Sequence, residues 1–196
     1  GLFGEADELD VVKVKALNLA QVEVKFNKNI SEDDLEAVEK AANYEFEDED
    51  GRALRGQDNA RIEVADVLVK GNVALLSLVN TPAKNQSEGT LVIKKDVIGK
   101  EVKEEIVFSD FTIPEVTDAS VIGKNTVKVV FSEPMDITTA DSSVFEVKSE
   151  NDKTNYRVRS ITPQTQNQEV LVEVRSDLKD GDKIVLTIDN GLEDFA

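Results

Sequence analysis

Any chemistry in this chain would have to come from carboxylates. The sequence holds 40 acidic residues but no histidine and no cysteine. Without histidine, the usual general base near neutral pH and the Ser-His arrangements are missing. Without cysteine, thiol nucleophiles, zinc-thiolate sites and disulfides are excluded as well. The remaining possibilities are acid-base work by paired carboxylates and the binding of hard cations by clustered oxygens.

Paired carboxylates alone do not indicate catalysis here. A glycosidase needs only two of them, one held protonated. With 40 acids in the chain, adjacent pairs arise without a catalytic reason, and the absence of tryptophan leaves little to stack against a sugar ring. We therefore predict that the chain is not an enzyme and has no catalytic or cofactor-binding residues.

Calcium is the cation that such acids favour, because it binds several oxygens that commonly come from loops. Two acidic turns, Asp48 to Gly51 and Asp177 to Asp182, supply oxygens locally. Neither matches the pattern of an EF-hand loop, so solvated turns explain them more simply.

A junction between two modules is the better calcium candidate. The chain is predicted below to form two modules, and Asp110 ends the first of them. Glu133 and Asp136 in one loop, and Asp194 in another, are expected at the facing end of the second module. The predicted metal ligands are Asp110, Glu133, Asp136 and Asp194. The cofactor that this hypothesis implies is Ca²⁺.

The elements that would position these residues repeat along the chain. The segment Gln21 to Phe26 recurs about 105 positions later as Thr126 to Phe131. Both copies alternate apolar and polar residues, which is the period of a half-buried strand. Two modules of about 100 residues each suit an immunoglobulin-like sandwich. We predict an all-β chain of two tandem immunoglobulin-like β-sandwich domains, residues 1–111 and 112–196.

The first predicted domain contains a short helix. Ser31 is placed to cap it, three acids follow, and an apolar stripe continues to Ala42, so we predict a helix over 32–42. Gly71 marks a hairpin turn between two strands. The predicted strands are Val11 to Ala16, Gln21 to Phe26, Tyr44 to Glu47, Arg61 to Val69, Val73 to Val79, Thr90 to Lys94 and Glu101 to Phe108.

The second predicted domain follows a short linker, Phe111 to Glu115, which Pro114 stiffens. Its strands are expected at Val116 to Ile122, Thr126 to Phe131, Val144 to Lys148, Tyr156 to Ile161, Glu169 to Arg175 and Lys183 to Ile188.

The last strand of the first domain has no counterpart in the second, which we expect to lack its closing strand. Lys183 to Ile188 should then be an unpaired edge and the second domain the less stable one. About a dozen native residues appended beyond Ala196 should raise its melting temperature.

Three short stretches resemble the immunoglobulin-like repeats of surface-layer proteins from Gram-positive bacilli. They are Thr126 to Asp136, which reads Thr-Val-Lys-Val-Val-Phe-Ser-Glu-Pro-Met-Asp, Ala42 to Phe46 after a helical insert, and Val107 to Pro114 at the module boundary. The resemblance implies a secreted protein of many modules that self-assembles into a lattice on the cell wall, often with calcium.

The partners implied by this resemblance are other copies of the same protein and further Ig-like modules of its own chain. Related repeats also occur in adhesins and as spacers in secreted enzymes, so an adhesive, ligand-binding or spacer module is the alternative. The net charge of −17 disfavours nucleic acid as a partner. No apolar run is long enough for a membrane helix, so we expect no membrane insertion.

Overall fold

The structure is a computed structural model that describes residues 8–196. The first seven residues of the predicted first domain lie outside the described residues. The described chain divides into two compact units, and the boundary lies between Phe111 and Thr112. Antiparallel β-sheets make up most of both units, so the prediction of an all-β chain with two Ig-like sandwiches is confirmed. No helix among residues 8–196 is long and apolar enough to cross a membrane.

The first unit is a sandwich of a four-stranded and a three-stranded sheet. The four-stranded sheet runs in the order β1-β2-β5-β4, with β1 at Val11–Asn18, β2 at Gln21–Phe26, β5 at Val73–Ser77 and β4 at Asp66–Lys70. The three-stranded sheet runs β3-β6-β7, with β3 at Tyr44–Glu47, β6 at Ser87–Ile93 and β7 at Val102–Phe108. β7 pairs with β6 and also lies beside β1 of the other sheet.

Alternation along the strands builds the core of this unit. Val22, Val24 and Phe26 of β2 are buried on one face, and Leu91 and Ile93 of β6 are fully buried opposite them in the sandwich. The turn residue Gly71 has φ +58°, a conformation that glycine adopts at little cost. The hairpin from β4 to β5 therefore closes where the sequence predicts.

The helix of the first unit is shorter than the predicted 32–42. It comprises Glu32–Val38 (α1), and a separate 3₁₀ turn follows at Ala41–Asn43. Asn43 Nδ2 donates to the carbonyl of Ala37 and the Tyr44 hydroxyl donates to that of Val38, so two side chains satisfy carbonyls at the helix end. Tyr44 is buried, and its burial raises the pKa of the phenol.

The prediction that the Ser31 side chain caps this helix is wrong. Ser31 occupies the cap position, but its hydroxyl donates to the Asp34 carboxylate instead of accepting from a backbone amide. The carboxylate is the stronger acceptor and lies within reach, so it takes the hydroxyl proton.

The second unit repeats the four-stranded sheet of the first. Its order is β13-β14-β9-β8, with β13 at Val158–Gln164, β14 at Glu169–Val174, β9 at Thr126–Phe131 and β8 at Val116–Val121. A second sheet has the order β12-β11-β15, with β12 at Asn155–Tyr156, β11 at Phe145–Ser149 and β15 at Ile184–Ile188. A two-residue ladder joins β10 at Met135–Asp136 to β16 at Glu193–Asp194.

The core of the second unit lies between these sheets. Valines of β9 and β14 meet Phe145, Val147 and Tyr156 from the other sheet, and Met135 fills the edge of the cluster. Within residues 8–196, β15 is paired with β11 on one side and has no strand on the other.

Two predicted strands differ most from the structure. Arg61 to Val69 is a strand only from Asp66, because the earlier residues make isolated bridges to Arg55 and Glu45. Tyr156 to Ile161 is divided between β12 and β13, which belong to different sheets. A strand that changes sheets must bend, and the alternation of its side chains does not reveal the bend.

Hydrogen bonds attach the end of the predicted linker to the second unit. The Glu115 amide donates to Ser132 Oγ and the Ser132 amide donates to the Glu115 carbonyl, at 2.9 and 2.8 Å. Phe111 and Ile113 project outward, 74% and 84% exposed. The segment is therefore exposed at Phe111 and Ile113 and hydrogen-bonded to the second unit at Glu115.

Candidate metal site

Glu133 is the buried acid among the candidates in the second unit. It follows β9 in the segment that leads to β10, and Pro134 after it prevents that segment from continuing the strand. The Thr112 hydroxyl donates to Glu133 Oε2 at 2.8 Å. Burial of a carboxylate is costly unless donors or a cation offset the lost hydration.

The ladder between β10 and β16 brings a second acid to Glu133. In this ladder Met135 lies opposite Asp194 and Asp136 lies opposite Glu193. As a result, a carboxylate oxygen of Asp194 lies within 4.8 Å of one of Glu133. Two anions at this separation repel each other, and a divalent cation between them would reverse the sign of the interaction.

Asp136, the third candidate of this unit, has a structural task. Its Oδ1 accepts from the Thr138 amide at 3.1 Å and from the Thr138 hydroxyl at 2.6 Å, which caps the 3₁₀ turn Ile137–Thr139. The close pair is formed by Glu133 and Asp194. Sequence alone could not separate these roles, because Asp136 is nearer to Glu133 along the chain than Asp194 is.

Asp110, the fourth candidate, ends the first unit and is buried there. Its amide donates to Asn85 Oδ1 at 3.0 Å and its carbonyl accepts from Asn85 Nδ2 at 2.8 Å. This two-way contact fixes the backbone of Asp110 next to the loop that precedes β6.

In each of the two local acidic turns, one carboxylate accepts hydrogen bonds from protein donors. Asp48 Oδ1 accepts from the amides of Asp50 and Arg52, which closes a turn. Asp182 Oδ1 accepts from Ser149 Oγ at 2.7 Å, and its Oδ2 accepts from the Tyr156 hydroxyl at 3.2 Å. Both acids therefore stabilise loops.

An ion pair lies beside the Asp182 network. Lys179 Nζ lies 2.6 Å from Asp152 Oδ2. The hydrogen bond from Lys179 lowers the pKa of the Asp152 carboxyl, with further donation from Thr154, and the same bond raises the pKa of Lys179.

Thr112 is the participant that sequence reasoning missed. The predicted linker includes Thr112, yet its hydroxyl donates to the buried acid Glu133. The available signal was the position of Thr112 as a polar residue between the apolar residues Phe111 and Ile113. An exposed linker does not require this alternation, so it could have indicated a role for Thr112.

Comparison with known proteins finds one matching domain family and one related protein. The model of the bacterial Ig-like domain family matches residues 103–196. The outer cell wall protein of Brevibacillus brevis is 32% identical over 130 residues, which are 65% of this chain. The aligned part covers 11% of that protein, so the chain corresponds to a small section of its relative.

Several solved structures resemble the chain at low identity. The N-terminal part of the bacterial S-layer protein SbsC has a TM-score of 0.41 and 16% identity, over 94% of this chain and 45% of that one. Domains 1–6 of SbsC give a TM-score of 0.42 and 14% identity, over 94% and 32%. The Group B Streptococcus pullulanase SAP gives 0.31 and 6%, over 84% and 19%.

Proposed function

Since residues 103–196 match the bacterial Ig-like domain family and the chain is a tandem of Ig-like sandwiches, we propose that it is a structural segment of a secreted surface-layer protein. The observation that carries the proposal is the 32% identity to an outer cell wall protein over 65% of this chain. The chain would lie outside the cell, in a lattice formed by many copies on the wall.

The composition and the sites support a structural role over catalysis. Histidine and cysteine are absent from the sequence, and the carboxylates of Asp48 and Asp182 accept from backbone amides and hydroxyls within the fold. Each unit has its own buried core, which suits a module whose task is to hold shape.

Calcium belongs to this proposal as the ion of the second unit. Glu133 and Asp194 would supply two of its oxygens, with the remaining ligands from backbone, water or further acids. Such binding would tie β16 to the segment before β10 and stabilise the folded unit in proportion to the affinity. The bound cation would thereby stabilise the end of the sandwich at which β10 and β16 pair.

The lattice proposal is tested by assembly of the purified chain. Electron microscopy of the chain on a charged lipid monolayer, with calcium and with chelator, should show ordered arrays or ordered oligomers. A chain that stays monomeric and unordered under every condition, or that instead binds a defined glycan on an array, would contradict the lattice and favour the adhesive alternative.

A further inference from the structure

A cleft in the second unit has no role in the proposed function. Its volume is about 420 Å³, which is within the range of sites that bind small molecules. Residues from the turn before β11, from β12 and the start of β13, and from the end of β14 line it. β12 and β13 belong to different sheets, so the cleft lies where the chain crosses from one sheet to the other.

Two arginines lie opposite each other at this cleft. Arg157 is the residue between β12 and β13, and Arg175 directly follows β14. The pairing of Val158 with Val174 continues by one step to the two arginines, where the Arg175 amide donates to the Arg157 carbonyl at 2.9 Å. Directly opposite residues have their Cβ atoms about 5 Å apart, and like charges at such positions repel each other. The fold therefore holds two exposed positive charges side by side.

Neither guanidinium has an acidic partner among residues 8–196. Acidic residues outnumber basic ones by 40 to 23 in the sequence, so composition alone would favour a carboxylate beside them. The nearby Arg159 has such a partner, because its Nη1 lies 3.6 Å from Glu173 Oε1. Glu146 lines the cleft, but its Oε1 lies 2.9 Å from Lys148 Nζ. The protein therefore leaves the charges of the two opposed arginines uncompensated.

Two neutral side chains at the cleft are also available as donors. The Ser142 hydroxyl and the Asn155 amide both line it, and neither makes a hydrogen bond within the described part of the chain. Ser143 differs, because its hydroxyl and its backbone amide donate to the Asp141 carboxylate and close the turn. Two guanidiniums, a hydroxyl and an amide thus surround one small volume, and such a set of donors suits an oxyanion.

We propose that this cleft binds the phosphate monoester of a sugar, with Arg157 and Arg175 holding the phosphate. The planar guanidinium matches phosphate through two parallel hydrogen bonds. A phosphate monoester carries nearly two negative charges at neutral pH, which balance both arginines, whereas a carboxylate supplies only one. The bound phosphate also replaces the repulsion between the two arginines by attraction to a shared anion.

The size of the cleft favours an ester over the free phosphate ion. A volume of about 420 Å³ exceeds what phosphate alone fills, so the group that carries it has room beside it. Ser142 and Asn155 can each donate to and accept from sugar hydroxyls. The Phe145 ring is buried and offers no open face for stacking. Hydrogen bonds would therefore hold the sugar, and the phosphate would supply most of the affinity.

Calorimetric titration of the full 196-residue chain tests the proposal. The probe is glucose-6-phosphate, and inorganic phosphate, glucuronate and glucose are compared with it at constant ionic strength. Glucose-6-phosphate should bind at least about tenfold more tightly than glucuronate, because the carboxylate engages one arginine fewer. It should also bind more tightly than inorganic phosphate, and uncharged glucose should give no measurable heat.

Variants of the two arginines test the site itself. Arg157→Gln and Arg175→Gln should each weaken binding of glucose-6-phosphate about tenfold, because each removes a charge-assisted contact. Arg157→Lys keeps the charge but loses the planar fork, so it should restore only part of the affinity. The matched control is Lys25→Gln. Lys25 lies opposite Lys13 in the first unit and both are exposed, so this variant removes one charge from another opposed pair and should leave the affinity unchanged.

Thermal melting separates lost binding from lost structure. Removal of either arginine relieves a contact between like charges, so the melting temperature of the glutamine variants should equal or exceed that of the parent chain. Unchanged affinity in both arginine variants would overturn the proposal, and so would an equal loss of affinity in Lys25→Gln, which would reveal a general attraction to positive charge. Affinity for inorganic phosphate equal to that for glucose-6-phosphate would rule out the sugar as the occupant.

Discussion

At the scale of single residues, the ion pair between Lys179 and Asp152 gives a pH dependence whose sign follows from the pKa shifts. The pKa of Asp152 lies below its ordinary value of 3.8, so its contribution to stability is present above that pH and is lost as the pH falls through the folded-state pKa. The pKa of Lys179 lies above 10.5, so its contribution is lost as the pH rises through the folded-state value.

We predict that Lys179→Gln moves the pKa of Asp152 upward, toward 3.8. Donation from Thr154 persists in the variant, so the return should be incomplete. NMR titration of the Asp152 carboxyl in both chains measures the effect. An unchanged titration would show that the contact between Lys179 and Asp152 is not formed in solution. Because both groups are exposed, the variant should change the free energy of unfolding only slightly.

The acids Glu133 and Asp194 give a second prediction at this scale. Calcium at about 100 times its dissociation constant should stabilise the second unit by about 2.7 kcal/mol, and chelator should remove the effect. Asp194→Asn should abolish the response in thermal melting. Asp136→Asn is the matched control, since its carboxylate caps a turn, and it should keep the response. A calcium response that survives Asp194→Asn would refute the site.

At the scale of strands, the first unit shows why one position must be glycine. Gly89 of β6 lies opposite Ile106, and a Cβ there would come within 2.8 Å of the Glu47 carbonyl oxygen and 2.7 Å of Leu54 Cδ2. The corresponding position of β15 is Ile184. The loop that carries Leu54 fills this space in the first unit, so the strand has no room for a side chain.

We predict that Gly89→Ala destabilises the first unit by about 1–3 kcal/mol, as overpacking of a core does. The Leu54 side chain can move aside, but the Glu47 carbonyl is fixed by the sheet. Thr90→Ala at the next position is the control and should cost less than about 1 kcal/mol. Chemical denaturation of the three chains compares them, and equal midpoints would contradict the argument.

Alternation in the sequence predicts the long strands of both units and little else at this scale. Burial along β9 and β14 has a strict period of two, and β2 has the same period from Val22 onward, because one face of each strand is buried. The ladder of β10 and β16 is two residues long, shorter than any period, so no pattern could reveal it. Glu133 and Asp194 meet only through that ladder, and their closeness is therefore a tertiary property. The acids themselves could be nominated from their places in the predicted loops.

At the scale of the whole chain, the two units should differ in stability. Leu186 and Ile188 are partly covered, whereas their counterparts Leu91 and Ile93 are fully buried, so the second unit gains less from apolar burial. We predict that the second unit unfolds at the lower temperature.

Hydrogen exchange with mass spectrometry, repeated as the temperature rises, resolves the two units by peptide. Peptides from β9 and β14 should lose protection before those from β2 and β6. Loss of protection in the first unit before the second would show that the open edge is not a weakness of the fold.

The exposed boundary of the chain also has a consequence for enzymes that cut it. A serine protease of chymotrypsin type accepts an aromatic side chain before the cut, and the Phe111 side chain is exposed at the boundary. Brief digestion should therefore cleave after Phe111, and mass spectrometry should find residues 1–111 and 112–196 as persistent fragments. Phe111→Ala should protect this bond. Because Thr112 and Glu115 stay hydrogen-bonded within the second unit, the cut would leave its fold intact, and processing could release one module from the next.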